Sequence, residues 1–83
     1  MTIYEFMETV NDNYSTVFTL FDCNSGDVVS IDTDEAENIT ELSRGELLYS
    51  KYADYEICSM DMWVDNDRVY IEFNIEVEGA NKL

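Results

Sequence analysis

Histidine and proline are absent from the 83 residues, glycine occurs three times and cysteine twice, and four Lys and Arg stand against 19 Asp and Glu. Each scarcity removes a class of function. Without an imidazole, general acid–base work would fall to carboxylates whose pKa values the surroundings have shifted, and a sequence does not show which acids are desolvated. Gly26, Gly45 and Gly79 are isolated, so no glycine-rich phosphate loop exists. The expectation is a protein that is not an enzyme, with no catalytic residue and no cofactor. Cys23 and Cys58 lie far apart with no CxxC spacing, whereas a secreted mini-protein of this size carries about four to eight cysteines. Two cysteines and no histidine leave the four tetrahedral positions of a zinc site unfilled, so no metal is expected and both thiols are read as reduced, buried small hydrophobes. No apolar run exceeds four residues, far short of a membrane span, and the chain does not open on a basic n-region followed by an apolar h-region. It is expected to be soluble and to stay in the cytoplasm of a bacterial host cell. The formal net charge of −15 repels DNA, RNA and anionic lipid, which excludes direct nucleic-acid or membrane binding.

What is present argues against a charge-extended coil. Apolar residues make up 46% of the chain and aromatic residues 13%, enough core material for one folded domain over residues 1–83. Thr2-Ile3-Tyr4-Glu5 is a capping box, and Ile3, Phe6, Met7 and Val10 follow at helical spacing, so a short amphipathic helix is predicted that stops at Asn11-Asp12-Asn13. Tyr14 to Phe21 is β-branched and aromatic, the segment 22–27 reads as a turn with Gly26 at positive φ, and Val28 to Ile31 is a second strand. An acidic connection follows, within which Ser43-Arg44-Gly45-Glu46 is a second capping box ahead of Leu47, Leu48 and Tyr52. From Arg68 to Val77 the alternation is strict, with Val69, Ile71, Phe73, Ile75 and Val77 on one side and Tyr70, Glu72, Asn74 and Glu76 on the other. Its hairpin partner runs from Glu56 to Val64 through an Asp65-Asn66-Asp67 turn, with Cys58, Met60, Met62 and Val64 sharing one face. Met60 and Met62 read as core filler. The predicted fold is a two-layer α+β domain of order α-β-β-α-β-β, in which the N-terminal helix covers the apolar face of a four-stranded antiparallel sheet.

The acids are the candidate functional residues. Alternate residues on a strand lie about 6.7 Å apart, and two nucleotide steps along a duplex strand advance about 6.8 Å, so carboxylates on the wet face of the last strand imitate part of a phosphate row. Asp61 on the neighbouring strand and the run from Asp32 to Glu41 would add a second line of charge beside it. The alternative is a solvated acidic surface that only keeps the protein soluble. Solubility of a small domain is served by a net charge of about 2 to 8, and the excess costs stability through self-repulsion. Trp63 and Tyr70 are expected on the wet face, and Tyr4, Tyr49, Tyr52 and Tyr55 around the helices, as aromatic anchors of an interface. A calcium loop at Asp22 to Asp27 fails, because glycine falls at its fifth place and Thr33, instead of Glu, at its twelfth.

In size, charge, lack of catalytic motifs and α+β layout, the whole chain resembles the small acidic proteins of phages and mobile elements, above all the anti-CRISPR proteins that act as DNA mimics. The resemblance implies an inhibitor that occupies the positively charged site with which an RNA-guided nuclease reads the short motif flanking its target. Its partner-binding residues would be Asp32, Asp34, Glu35, Glu37, Asp61, Trp63, Tyr70, Glu72 and Glu76, on a monomer or homodimer. Inhibition of a uracil-DNA glycosylase or a restriction nuclease is the nearest alternative in mechanism, and an accessory or structural protein the alternative in class.

Self-repulsion at this net charge is relieved by salt, because the Debye length shortens from roughly 30 Å at 0.01 M to about 3 Å at 1 M. The melting temperature, followed by circular dichroism, is expected to rise with added NaCl over that range, and a fall would contradict it.

Overall fold

The computed structural model describes residues 1–9 and 16–77. It is a small α+β fold: α1 (Ile3–Met7), β1 (Thr16–Asp22), β2 (Asp27–Val29), α2 (Arg44–Tyr49), a 3-10 turn (Lys51–Asp54), β3 (Ser59–Asp65) and β4 (Arg68–Ile75). Both capping boxes form. The Thr2 hydroxyl accepts from the Glu5 N–H at 3.1 Å while the Glu5 carboxylate accepts from the Thr2 N–H at 2.9 Å. Ser43 and Glu46 repeat the exchange at 3.2 and 2.8 Å. These reciprocal bonds satisfy N–H groups that helices of five and six residues would otherwise leave open. The expected places of Val10, of the stop at Asn11-Asp12-Asn13 and of the start of the first strand at Tyr14 lie outside the described residues.

The sheet is mixed, not antiparallel. Its order is β2-β1-β4-β3, and β1 runs parallel to β4 in an unbroken register from Thr16 opposite Val69 to Asp22 opposite Ile75. Only the two hairpins, β1 with β2 and β3 with β4, are antiparallel. Two hairpins placed side by side can join through any of their strands, and here apolar content selects the two that meet. Phe18 and Leu20 on β1 and Ile71, Phe73 and Ile75 on β4 are buried on one face, so these two strands belong at the centre. The short β2 and the aspartate-bearing β3 become edges, where exposed backbone and charge are tolerated. The long connection through α2 supplies the crossover that a parallel pair needs.

The N-terminal helix does not cover the sheet alone. Ile3 and Met7 of α1, Leu47 of α2 and Tyr52 of the 3-10 turn all join the buried cluster with Phe18, Leu20, Ile71, Phe73 and Ile75. Phe6 sets its ring edge against Phe73 at 5.5 Å, and Phe18 stacks on Phe73 at 5.9 Å. Leu42 adds a bridge to the outer edge of β1, exchanging both main-chain hydrogen bonds with Phe18. Coverage stops before β3. Every residue of that strand is exposed, including Met60 and Met62 at 37% and 58%. Their expected role as core filler is overturned because the helices sit over the centre of the sheet and leave its β3 margin open.

Two turns carry the positive-φ residues that tight hairpins require. Asn66 and Asp67, at φ of 50° and 63°, form the two-residue connection between β3 and β4, whose twist matches that of the flanking strands. Gly26, at φ of 78°, closes the β1–β2 turn, its N–H donating to the Asp22 carbonyl at 2.8 Å. A Cβ at Gly26 would meet nothing within 4 Å, so the cost of substitution there is conformational. Gly26→Ala is expected to destabilise the fold by about 1–2 kcal/mol, lowering the melting temperature by roughly 5–10 °C. An unchanged melting temperature would show that the turn relaxes.

Candidate functional site

The helices pack on one face of the sheet, and the opposite face presents the alternate residues of the same strands. The register aligns them in rows across β3, β4 and β1: Trp63, Tyr70 and Val17; then Asp61, Glu72 and Thr19; then Ser59, Asn74 and Phe21. Rings and carboxylates are thereby neighbours. Trp63 stacks on Tyr70 with centroids 5.7 Å apart and planes within 6° of parallel. Trp63 is 45% exposed, which leaves one side of the stack open to solvent. In the next row, Asp61 and Glu72 stand directly opposite each other across the antiparallel pair, a position that brings two Cβ atoms to within about 5 Å. Thr19 completes that row, its hydroxyl enclosed and without a hydrogen-bond partner among the described residues. The third row is tied down by the Asn74 amide, which donates to the Ser59 hydroxyl at 3.0 Å.

The remaining acids named from the sequence lie elsewhere. β4 ends at Ile75, so within the strand the row Tyr70, Glu72, Asn74 contains one carboxylate. The expected line of acids along β4 is in fact a pair across two strands. Glu76 follows the strand end and points toward Cys23 and Cys58. Glu78 lies outside the described residues. Asp32, Asp34, Glu35 and Glu37 occupy the loop after β2, at the far side of the sheet from β3, so they do not form a second line beside Glu72. That loop is held by its own hydrogen bonds. The Ile31–Ile39 bridge closes it, Asp32 accepts from the Asn38 N–H at 2.9 Å, and the Thr33 hydroxyl accepts from the Ala36 N–H at 3.1 Å. With α2 it borders a cleft of about 640 Å³ that has Asp32 and Asp34 on one side and Glu46, Tyr49 and Lys51 on the other.

Aromatic anchors divide in the same way. Tyr49 is 94% exposed at that cleft and Tyr4 is exposed, whereas Tyr52 is buried and sets its ring against that of half-buried Tyr55 at 5.1 Å. The sequence reading missed that the 3-10 turn would draw Tyr52 inward. The signal was its neighbour Ala53, small enough to be buried with it.

Both cysteines are exposed, not buried. Cys23 follows β1 and Cys58 precedes β3, on either side of the end of β4, and the Cys23 thiol donates to the Ile75 carbonyl at 3.0 Å. Partial desolvation of the sulfur, then the hydrogen bond with Cys23, pushes the Cys58 thiol above its ordinary value, so it is a neutral thiol near pH 7 and not an activated nucleophile. Nearby, the main-chain N–H of Asn24, and to a smaller degree that of Val77, hold the Asp22 carboxyl below its usual range against the opposing effect of burial.

Two carboxylates directly opposite in a β-ladder repel, so their retention costs stability. Asp61→Asn is expected to stabilise the isolated protein by about 0.2–1 kcal/mol in urea unfolding at low salt, with the gain shrinking as salt is added. A loss of stability would show that Asp61 serves the fold. Among the described residues no helix is long and apolar enough to cross a membrane. No protein-family model, curated protein or solved structure matches the chain.

Proposed function

We propose that the protein is an acidic inhibitor that binds the positively charged nucleic-acid site of a DNA-acting enzyme, foremost a CRISPR-associated RNA-guided nuclease, and keeps DNA out by presenting DNA-like charge. The observation that carries this reading is the Asp61–Glu72 pair beside the open Trp63–Tyr70 stack, on the sheet face turned away from the helices. Paired carboxylates accept bidentate hydrogen bonds from arginine, the side chain with which such nucleases read base edges in the motif flanking their target. A flat aromatic surface next to them offers an arginine plane or an apolar side chain a desolvated seat, and it is in such seats that binding energy concentrates. The net charge of −15 adds long-range attraction that speeds encounter with a basic groove and repels other acidic proteins. A uracil-DNA glycosylase or a restriction nuclease offers a groove of the same sign, and the same surface would serve there.

The test is capture of a partner from a bacterial host lysate followed by competition with DNA. The captured protein is expected to bind nucleic acid, to be released by duplex DNA and to be released progressively by salt. Reversing Asp61 and Glu72 together to Lys is expected to weaken binding by at least about 30-fold, the equivalent of about 2 kcal/mol. Reversing Asp34, Glu35 and Glu37 measures the contribution of the loop on the far side of the sheet. A captured nuclease that DNA does not displace would overturn the competitive mechanism.

A second reading is favoured by the β3 edge, where Met60, Met62 and Val64 are exposed beside an unpaired strand backbone among the described elements. An accessory or structural protein would associate through such an edge and use its charge for solubility alone. In that case the charge reversals leave function intact, and replacing Met62 and Val64 with Lys removes the association.

A further inference from the structure

Three stretches far apart in sequence meet where β4 ends. Cys23, Cys58 and Glu76 place two sulfurs and a carboxylate oxygen within 4.8 Å of one another, and all three side chains are exposed. Main-chain bonds put them there. The Cys23 N–H donates to the Ile75 carbonyl at 2.9 Å and the Cys58 N–H to the Asn74 carbonyl at 2.8 Å, so the two cysteines flank β4 on consecutive carbonyls immediately before Glu76. Beyond Glu76, the Val77 N–H donates to the Asp22 carboxylate at 3.3 Å, which ties the outgoing chain back to the residue before Cys23. A cleft of about 330 Å³ bounded by Tyr55, Glu56, Cys58 and Glu76 opens the group to solvent.

We propose that Cys23, Cys58 and Glu76 form a binding site for a thiophilic divalent cation, zinc by its donor set. Thiolates select soft and borderline ions over magnesium and calcium, and a carboxylate is an ordinary third ligand of zinc. Tetrahedral zinc, with bonds near 2.3 Å to sulfur and near 2.1 Å to oxygen, needs its ligand atoms about 3.5–3.8 Å apart. Closing from 4.8 Å takes inward shifts of about 1 Å or less, within reach of rotation at the exposed side chains. Composition excludes a site with four cysteine or histidine ligands, but three protein ligands and one water complete the tetrahedron. Binding replaces two S–H bonds with two sulfur–metal bonds and releases two protons to solvent, and the bond from the Cys23 thiol to the Ile75 carbonyl is given up. The dication, two thiolates and one carboxylate together carry one negative charge, and the strongly negative protein around them draws cations to the cleft.

Cobalt(II) is the probe, added to the whole reduced protein, because thiolate-to-cobalt charge-transfer absorption reports sulfur ligation and is silent to ions held loosely by surface acids. The expected result is one cobalt per chain with that band, persisting in a hundredfold excess of magnesium or calcium and abolished by one equivalent of zinc. Cys23→Ser and Cys58→Ser are each expected to remove or halve the band, and Glu76→Gln to weaken binding at least about tenfold. Far-ultraviolet circular dichroism of each variant checks that the fold persists, and since all three side chains are exposed none is needed for the core. Absence of the band in folded wild-type protein, or a full band in either serine variant, would overturn the site. Glu76→Gln binding within twofold of wild type would overturn the three-ligand assignment.

Discussion

The parallel pairing of β1 with β4 is the constraint on which the rest of the molecule depends. Its seven-residue register places Phe18 opposite Ile71 and Leu20 opposite Phe73, and the two strands together supply much of the buried cluster. A chain of 83 residues buries a smaller share of its surface than a larger domain does, so there is material for one core on one face of the sheet. The helices are too short to hold themselves. With five and six residues, α1 and α2 persist because Ile3, Met7 and Leu47 are fully buried against that face and because capping boxes close their first turns. On the other face of the sheet the β3 residues Ser59, Asp61 and Trp63 are exposed, whereas Val17, Thr19 and Phe21 of β1 and Tyr70, Glu72 and Asn74 of β4 are half-buried.

That asymmetry divides the acids by position. With β1 and β4 central, the loop after β2 and the face of β3 lie at opposite margins, so Asp32, Asp34, Glu35 and Glu37 are separated from Asp61 and Glu72. On the β3 side the carboxylates lie beside a tryptophan–tyrosine stack; on the β2 side they border a cleft with Tyr49 at its rim. The first combines charge with a flat aromatic surface, and the proposed recognition role rests on that combination. The same strand order brings Cys23 and Cys58 to either side of Glu76, although 34 residues separate the two cysteines in sequence.

Much of the local structure was legible in the residues themselves. Thr2 with Glu5 and Ser43 with Glu46 announce helix starts because the bonds that make a capping box are confined to four consecutive residues. The alternation from Val69 to Ile75 announces a half-buried strand because side chains repeat every second residue on a pleat. Gly26 and the Asn66-Asp67 pair mark turns because few other residues take positive φ without strain. The placing of Trp63 and Tyr70 on the wet side of the last hairpin also follows from that alternation. Met60 and Met62 show where this logic ends: alternation assigns them to the apolar side of β3, but whether anything covers that side depends on how far the helices reach.

Among the described residues, the sequence by itself determined where the two capped helices start, which segments form the two hairpins, which side of each strand is apolar, and the sign and excess of the charge. These depend on contacts between neighbours in the chain or on composition alone. Tertiary structure alone decided that β1 and β4 pair in parallel, that the acids fall on opposite margins, and that Cys23, Cys58 and Glu76 converge in the open. The physical reason is that strand order follows from competition among all the apolar faces for one small core, and residues distant in sequence meet only after that competition is resolved.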